Sequence, residues 1–198
     1  KQKKFNKDLF FKIWSMTKPI VSLATMQLVE RNYLSLNDTI DKFLPQFKRV
    51  RILKKKSNDI NQTYLSFKIP TIKQLLLHTA GFTYNSSNNI IGEEYEKNKI
   101  FHSSNRSLEE EIENISKLPL LFEPGLKWHY SVSIDILARV LEIITKDELI
   151  NILKENIFNP LDMNSTNYFI EEDQNKNLVE TFEFSKQYNK IQNISLDS

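Results

Sequence analysis

The chain has 198 residues, 40% hydrophobic and 26% charged, which fits one large folded domain or two small ones and excludes disorder along its whole length. Lys and Arg number 27 against 25 Asp and Glu, and the resulting net charge of +2 lacks the basic excess of a nucleic-acid binder. There is no cysteine, hence no disulfide, zinc–thiolate site or thiol nucleophile, and no apolar run approaches the ~20 residues of a membrane helix.

In chain order, residues 1–8 are charged and residues 9–14 form a short apolar, extended lead-in to Ser15. Residues 19–31 read as a helix, because Ile20, Leu23, Ala24, Gln27 and Leu28 follow helical spacing. Val21, Met26 and Val29 make its other faces apolar, so it is expected to be largely buried, with Asn32 as its C-terminal cap. A short helix is expected from Asn37 to before Pro45, and a basic surface loop over residues 49–61. Thr71 caps a helix to Leu77, followed by a turn at His78-Thr79-Ala80-Gly81. Residues 84–106 read as a polar excursion. Ser107 and Glu110 fit a capping box opening a helix to about Lys117. Pro119 and Pro124-Gly125 punctuate a loop, and strong helical spacing covers residues 132–145, with another helix over 147–156. The chain is therefore expected to be mainly helical, and its 3 glycines leave Asn to serve at some left-handed positions.

Two places could carry chemistry. Ser15 and Lys18, three apart at a helix start, lie on one face. Pro19 is tolerated only in the first turn, so Ser15 sits where the helix dipole favours an oxyanion and disfavours an ammonium. Both side chains would then move toward their reactive forms, with a desolvated lysine as a base toward the serine. The alternative is an ordinary N-cap serine beside a solvated lysine. Tyr130, between a Pro-Gly loop and a strong helix, is a second candidate base or a half-buried structural tyrosine. His78, His102 and His129 have no metal-ligand spacing, and His78 reads as a structural hydrogen-bonder.

The run Trp14-Ser15-Met16-Thr17-Lys18-Pro19-Ile20 resembles the nucleophile segment of the serine β-lactamase-related family, which includes class C β-lactamases, DD-peptidases and family VIII carboxylesterases. Further segments fit in the family's order. They are Gln27-Leu28-Val29-Glu30 through Asp38, Leu75 to Phe82 around His78-Thr79-Ala80-Gly81, Pro124-Gly125 followed by Trp128 and Tyr130-Ser131, and Pro160-Leu161-Asp162-Met163 with Thr166. The resemblance implies the helical domain and nucleophile helix of a two-domain α/β fold. The nucleophile helix would span about 15–31, the helical region about 37–169 and a polar tail 170–198. It also implies a cofactor-free, metal-free serine hydrolase acting on a small-molecule ester through an acyl-enzyme. Ser15 would be the nucleophile, Lys18 would stabilise charge, and Tyr130 would be the general base and later the proton donor. The Ser15 backbone amide would form half of an oxyanion hole. Trp128 and Val132 would touch substrate.

Departures from the family pattern are informative. Val132 stands where class C β-lactamases have the Asn of Tyr-x-Asn, which favours esterase over β-lactamase or D-amino-peptide hydrolase activity. Lys146 and Asp162 replace usual glycines. Nothing after Phe169 resembles the family's third motif or its sheet half. The chain is therefore expected to be a fragment or a degenerate relative, missing most of the sheet. As it stands, it is expected to turn over little ester and to self-associate through an uncovered apolar helix face. A non-catalytic remnant or binding protein is the reading from another class. The oligomeric state is open, and the compartment is too, with a lean to the cytoplasm.

Overall fold

The computed structural model describes residues 8–55, 57–85, 87–101, 106–170, 172–185 and 189–193. Its first long element is α1, Thr17–Glu30, entered through a single 3-10 turn at Trp14–Met16. Ser15 lies in that turn and Lys18 is the second residue of α1. Pro19 falls in the first turn, where its missing amide hydrogen leaves no helical bond unmade. Val21, Ala24, Thr25 and Leu28 share the buried face. The expectation of burial on most faces is corrected: Leu23 and Met26 are 47% and 42% exposed on the side away from the bundle. Asn32 ends the helix with φ 60, as a left-handed cap.

Beyond it, 3-10 turns at Ile40–Lys42 and Pro45–Phe47 replace the expected short helix, since Pro45 interrupts the hydrogen-bonding run. The basic stretch after Arg49 is not all loop. Strand β1, Arg51–Leu53, pairs antiparallel with β2, Thr63–Leu65, with Ile52 opposite Tyr64. Val50 and Ile52 are buried on either side of exposed Arg51, a period-2 signal masked by the flanking lysines. Helix α2, Ile72–Leu76, has the Thr71/Gln74 capping box at its start. The polar excursion contains α3, Ile90–Lys97, capped by Asn89, whose side chain accepts from the amides of Ile91 and Gly92. Its buried stripe is narrow, Ile91 and Tyr95, and charged residues around it hid the helical period. Helix α4, Leu108–Ser116, opens on the expected Ser107/Glu110 box.

Helix α5, Ser133–Thr145, is the axis of the fold. Ile136, Leu137, Val140 and Leu141 are fully buried on it, and α1, α2 and α4 pack around it together with α6, Leu149–Leu153. Each such side chain contributes roughly 1.5–3 kcal/mol through burial. A π turn, Lys154–Phe158, continues α6. The segment expected as a polar tail holds a 3-10 turn at Glu172–Asn177 and a hairpin, β3 Phe182–Ser185 with β4 Lys190–Asn193. The chain is thus mainly helical, and the described residues form only two two-stranded sheets. No helix among them is long and apolar enough to cross a membrane.

Glycine scarcity leaves a measurable mark. Lys146 caps α5 at φ 60 and Asp162 sits at φ 53, so both occupy left-handed backbone that a Cβ disfavours by roughly 1–2 kcal/mol. Lys146→Gly should therefore raise stability by about 1 kcal/mol. Urea unfolding of the two proteins checks this, and an unchanged or lower midpoint would contradict it.

Candidate active site

The turn at His78–Gly81 organises the site. Gly81 has φ +94, and a Cβ there would run into the Phe122 carbonyl oxygen. Its own carbonyl accepts from the Leu121 amide at 2.8 Å, and the Gly125 amide donates to Thr79 at 2.8 Å. The loop leading to α5 is thereby stitched to the turn. Two more bonds continue the seam: the His129 amide donates to the His78 carbonyl at 2.9 Å and the Val132 amide to the Thr83 carbonyl at 3.1 Å. Held at both ends, the segment between them projects Tyr130 toward the start of α1.

There Tyr130 meets the serine and lysine. Ser15 Oγ lies 2.6 Å from Tyr130 Oη, and Lys18 Nζ donates to Ser15 Oγ at 3.3 Å. The Lys18 ammonium also sits 5.1 Å over the Tyr130 ring and 5.4 Å over the Tyr84 ring. Tyr84 stacks on Tyr130 with centroids 5.8 Å apart. Trp14, just before Ser15, has φ 47, an outlier for a bulky residue, so backbone strain is held next to the serine hydroxyl.

With this geometry in view, the sequence profile of the Beta-lactamase family matches residues 1–193. The chain belongs to the beta-lactamase family. Among its relatives, "Protein Rv1367c" of Mycobacterium tuberculosis is 28% identical over 182 residues, covering 91% of this chain and 44% of the relative. "Esterase EstB" of Burkholderia gladioli is 32% identical over 159 residues, covering 79% and 38%. Among solved structures, "EstCE1, a hydrolase with promiscuous acyltransferase activity" superposes with a TM-score of 0.76 at 27% identity, covering 93% of this chain and 45% of that one. FmtA from Staphylococcus aureus superposes at 0.71 and 21% identity, covering 96% and 46%, and this shows a shared fold. The chain spans less than half the length of these relatives.

In this beta-lactamase family chain the charges at the site are set by proximity. Burial acts to lower the Lys18 ammonium, but its hydrogen bond to Tyr130 and the fields of Tyr84, Asp135 and Tyr130 outweigh that and raise it. These contacts favour the ammonium over the neutral amine that a lysine base toward Ser15 would need. Burial acts to raise the Tyr130 phenol, and hydrogen bonds with Lys18 and Ser15, helped by the Lys18 charge, bring it below its ordinary value. A phenol lowered by an adjacent ammonium and hydrogen-bonded to a serine hydroxyl is suited to take the serine's proton.

The remaining sequence candidates lie as follows. The Ser15 amide is in the 3-10 turn at the N-terminal end of α1, where amide hydrogens lack helical acceptors. Trp128 is 66% exposed, with its ring 6.5 Å from that of His78. Val132 is 1% exposed, so its side chain packs into the core. His102 lies outside the described residues. No group of His, Asp and Glu among those residues could hold a metal.

Three residues near the centre had no assigned catalytic role on sequence grounds: Tyr84, His78 and Asp135. Asp135 stands in the first turn of α5, and its Oδ2 is shut off from solvent without a hydrogen-bond partner among the described residues. Only its place five residues after Tyr130 marked it in the sequence. Burial pushes its carboxyl up to about 6, against the opposing pull of the Lys18 charge. A carboxyl harder to ionise folded than unfolded contributes stability while protonated, which is lost as pH rises from about 4 to about 6. Asp135→Asn should remove that loss, gaining about 3 kcal/mol over wild type at pH 7 and much less at pH 4. Urea unfolding at both pH values measures it, and an equal difference at the two would contradict the assignment.

A cleft of about 1240 Å³ opens beside Ser15 and Lys18. Its walls include Tyr84, Ile134, Ala138, Ile143 and Tyr168. The cleft's Arg139 is already engaged by Glu109 at 2.7 Å and Glu142 at 3.1 Å.

Proposed function

We propose that the protein is a serine hydrolase of carboxylic esters that works through an acyl-enzyme on Ser15. The observation that carries this reading is the 2.6 Å contact between Ser15 Oγ and Tyr130 Oη, with Lys18 Nζ donating to the same Ser15 Oγ at 3.3 Å. In the reactive form Tyr130 is the phenolate: Ser15 Oγ attacks the ester carbonyl carbon while its proton passes to the Tyr130 phenolate oxygen. The carbonyl oxygen becomes an oxyanion facing the Ser15 amide. Collapse breaks the bond to the alcohol oxygen, which takes the proton from Tyr130. Water then repeats the sequence in reverse and frees the acid. Throughout, the Lys18 charge lowers the energy of the tyrosinate.

The substrate class follows from the walls. The cleft is mostly apolar and its arginine is neutralised, which suits a bulky uncharged acyl or alcohol group over an anionic one. Val132 is buried and offers no amide to a β-lactam side chain. Two relatives named as esterases, EstB of Burkholderia gladioli and the lovastatin esterase of Penicillium rubens, support the ester reading. Parallel assays of the complete protein with a p-nitrophenyl ester and a chromogenic cephalosporin test it. Faster ester turnover is expected, and faster cephalosporin turnover would overturn the assignment.

A further inference from the structure

We propose that His78 is a positioning residue for Tyr130, and that it works as the neutral imidazole protonated on Nε2. The proposal rests on the role given to Tyr130 above.

His78 grips the backbone on both sides of the tyrosine. Its carbonyl accepts from the His129 amide at 2.9 Å, and its Nδ1 accepts from the Ser131 amide at 3.3 Å. Its ring lies 4.9 Å from the Tyr130 ring, tilted by 35°. One residue thus holds the amide before Tyr130, the amide after it, and the face of the ring.

The second grip fixes the tautomer. A ring nitrogen that accepts from an amide N–H has no proton of its own. Ser131 Oγ also lies 3.3 Å from Nδ1 and 2.7 Å from Ser133 Oγ, while it accepts from the Ser133 amide at 3.3 Å. Ser131 and Ser133 are both buried, so water does not take over these bonds. A proton on Nδ1 would point at the Ser131 N–H and release the segment carrying Tyr130. The titratable groups facing the ring are Lys18 of α1 and Tyr130 itself. Burial, and then the Lys18 charge, hold the imidazole below its ordinary value, which preserves the neutral form toward acidic pH.

His78 has φ 53, at the left-handed position that ends α2, where Gly or Asn is favoured, so an Asn there keeps the turn.

Two substitutions separate the grips. His78→Asn keeps an acceptor near the Nδ1 position and suits the left-handed backbone. His78→Phe keeps the ring against Tyr130 and loses the acceptor. The rate of Ser15 labelling by a fluorophosphonate should fall roughly 10- to 100-fold in His78→Phe, as expected when a reacting group drifts by about an ångström, with little change in KM for an ester. In His78→Asn it should stay within about threefold of wild type and lose the acidic limb contributed by His78. Two readouts do not depend on turnover. Nitrogen-15 NMR should show His78 protonated on Nε2, and ultraviolet titration should show the tyrosine step absent from Tyr130→Phe moving upward in His78→Phe only.

Labelling of His78→Phe at the wild-type rate, an unmoved tyrosine step, or an Nδ1-protonated tautomer would each overturn the proposal. Absence of labelling in the wild type would instead refute the hydrolase reading, and the tyrosine titration would still decide the role of His78.

Discussion

Tyr130→Phe should slow acylation of Ser15 by roughly 10²- to 10⁴-fold while leaving the fold and KM nearly unchanged. The substitution removes one oxygen. That oxygen is the one 2.6 Å from Ser15 Oγ, and it feels the charge of the Lys18 ammonium, which donates to the same Ser15 Oγ at 3.3 Å. The ring remains, so stacking on Tyr84 and the contact with His78 survive. Tyr130 is 37% exposed, and deletion of its hydroxyl opens no sealed cavity. Stopped-flow acylation with a p-nitrophenyl ester gives the rate, and thermal unfolding shows that the fold is intact. A Phe variant that acylates at the wild-type rate would mean that another group takes the serine's proton.

Lys18→Met should lower acylation by a comparable factor and should also move the pH profile. The ammonium is what holds the Tyr130 phenol below its ordinary value, through a hydrogen bond and its charge. Without it, only the Ser15 hydrogen bond opposes burial and the Asp135 charge, and the phenol rises. The basic form of Tyr130 would then appear only at higher pH. The limb of kcat/KM that reports Tyr130 should shift to alkaline pH, and part of the lost rate should return there. An unshifted limb, with only a uniform loss, would point to Lys18 acting on substrate charge and not on Tyr130. Because Lys18 Nζ lies 5.4 Å from the Tyr84 ring and 5.1 Å from the Tyr130 ring, methionine can take its place against both rings and keep the packing.

The candidate catalytic group was legible in the sequence to the extent that local rules govern it. Pro19 forces the start of α1, and the helical turn then puts Lys18 beside Ser15. The Thr71 cap and the Ser107/Glu110 capping box are equally local, and both formed as read. The protonation state of Lys18 was not legible. It depends on Tyr84, Asp135 and Tyr130, which reach it from 66 to 117 residues away through the packing of α5. His78 illustrates the same limit: its position in a turn was readable, but its hold on both flanks of Tyr130 needs the seam between two loops. Strand β1 and helix α3 were missed because one or two buried residues carry each period while basic or acidic neighbours dominate the composition. Loss of glycine from left-handed sites blurred the ends of elements, as at Lys146 and Asp162.

The central claim is that Ser15 carries the acyl group. Protein quenched in acid during turnover of a p-nitrophenyl ester, digested and analysed by mass spectrometry, tests it directly. The account predicts one added acyl mass on the peptide containing Ser15, formed in a burst and absent from Ser15→Ala. An acyl mass on any other residue, or undiminished ester turnover by Ser15→Ala, would contradict it.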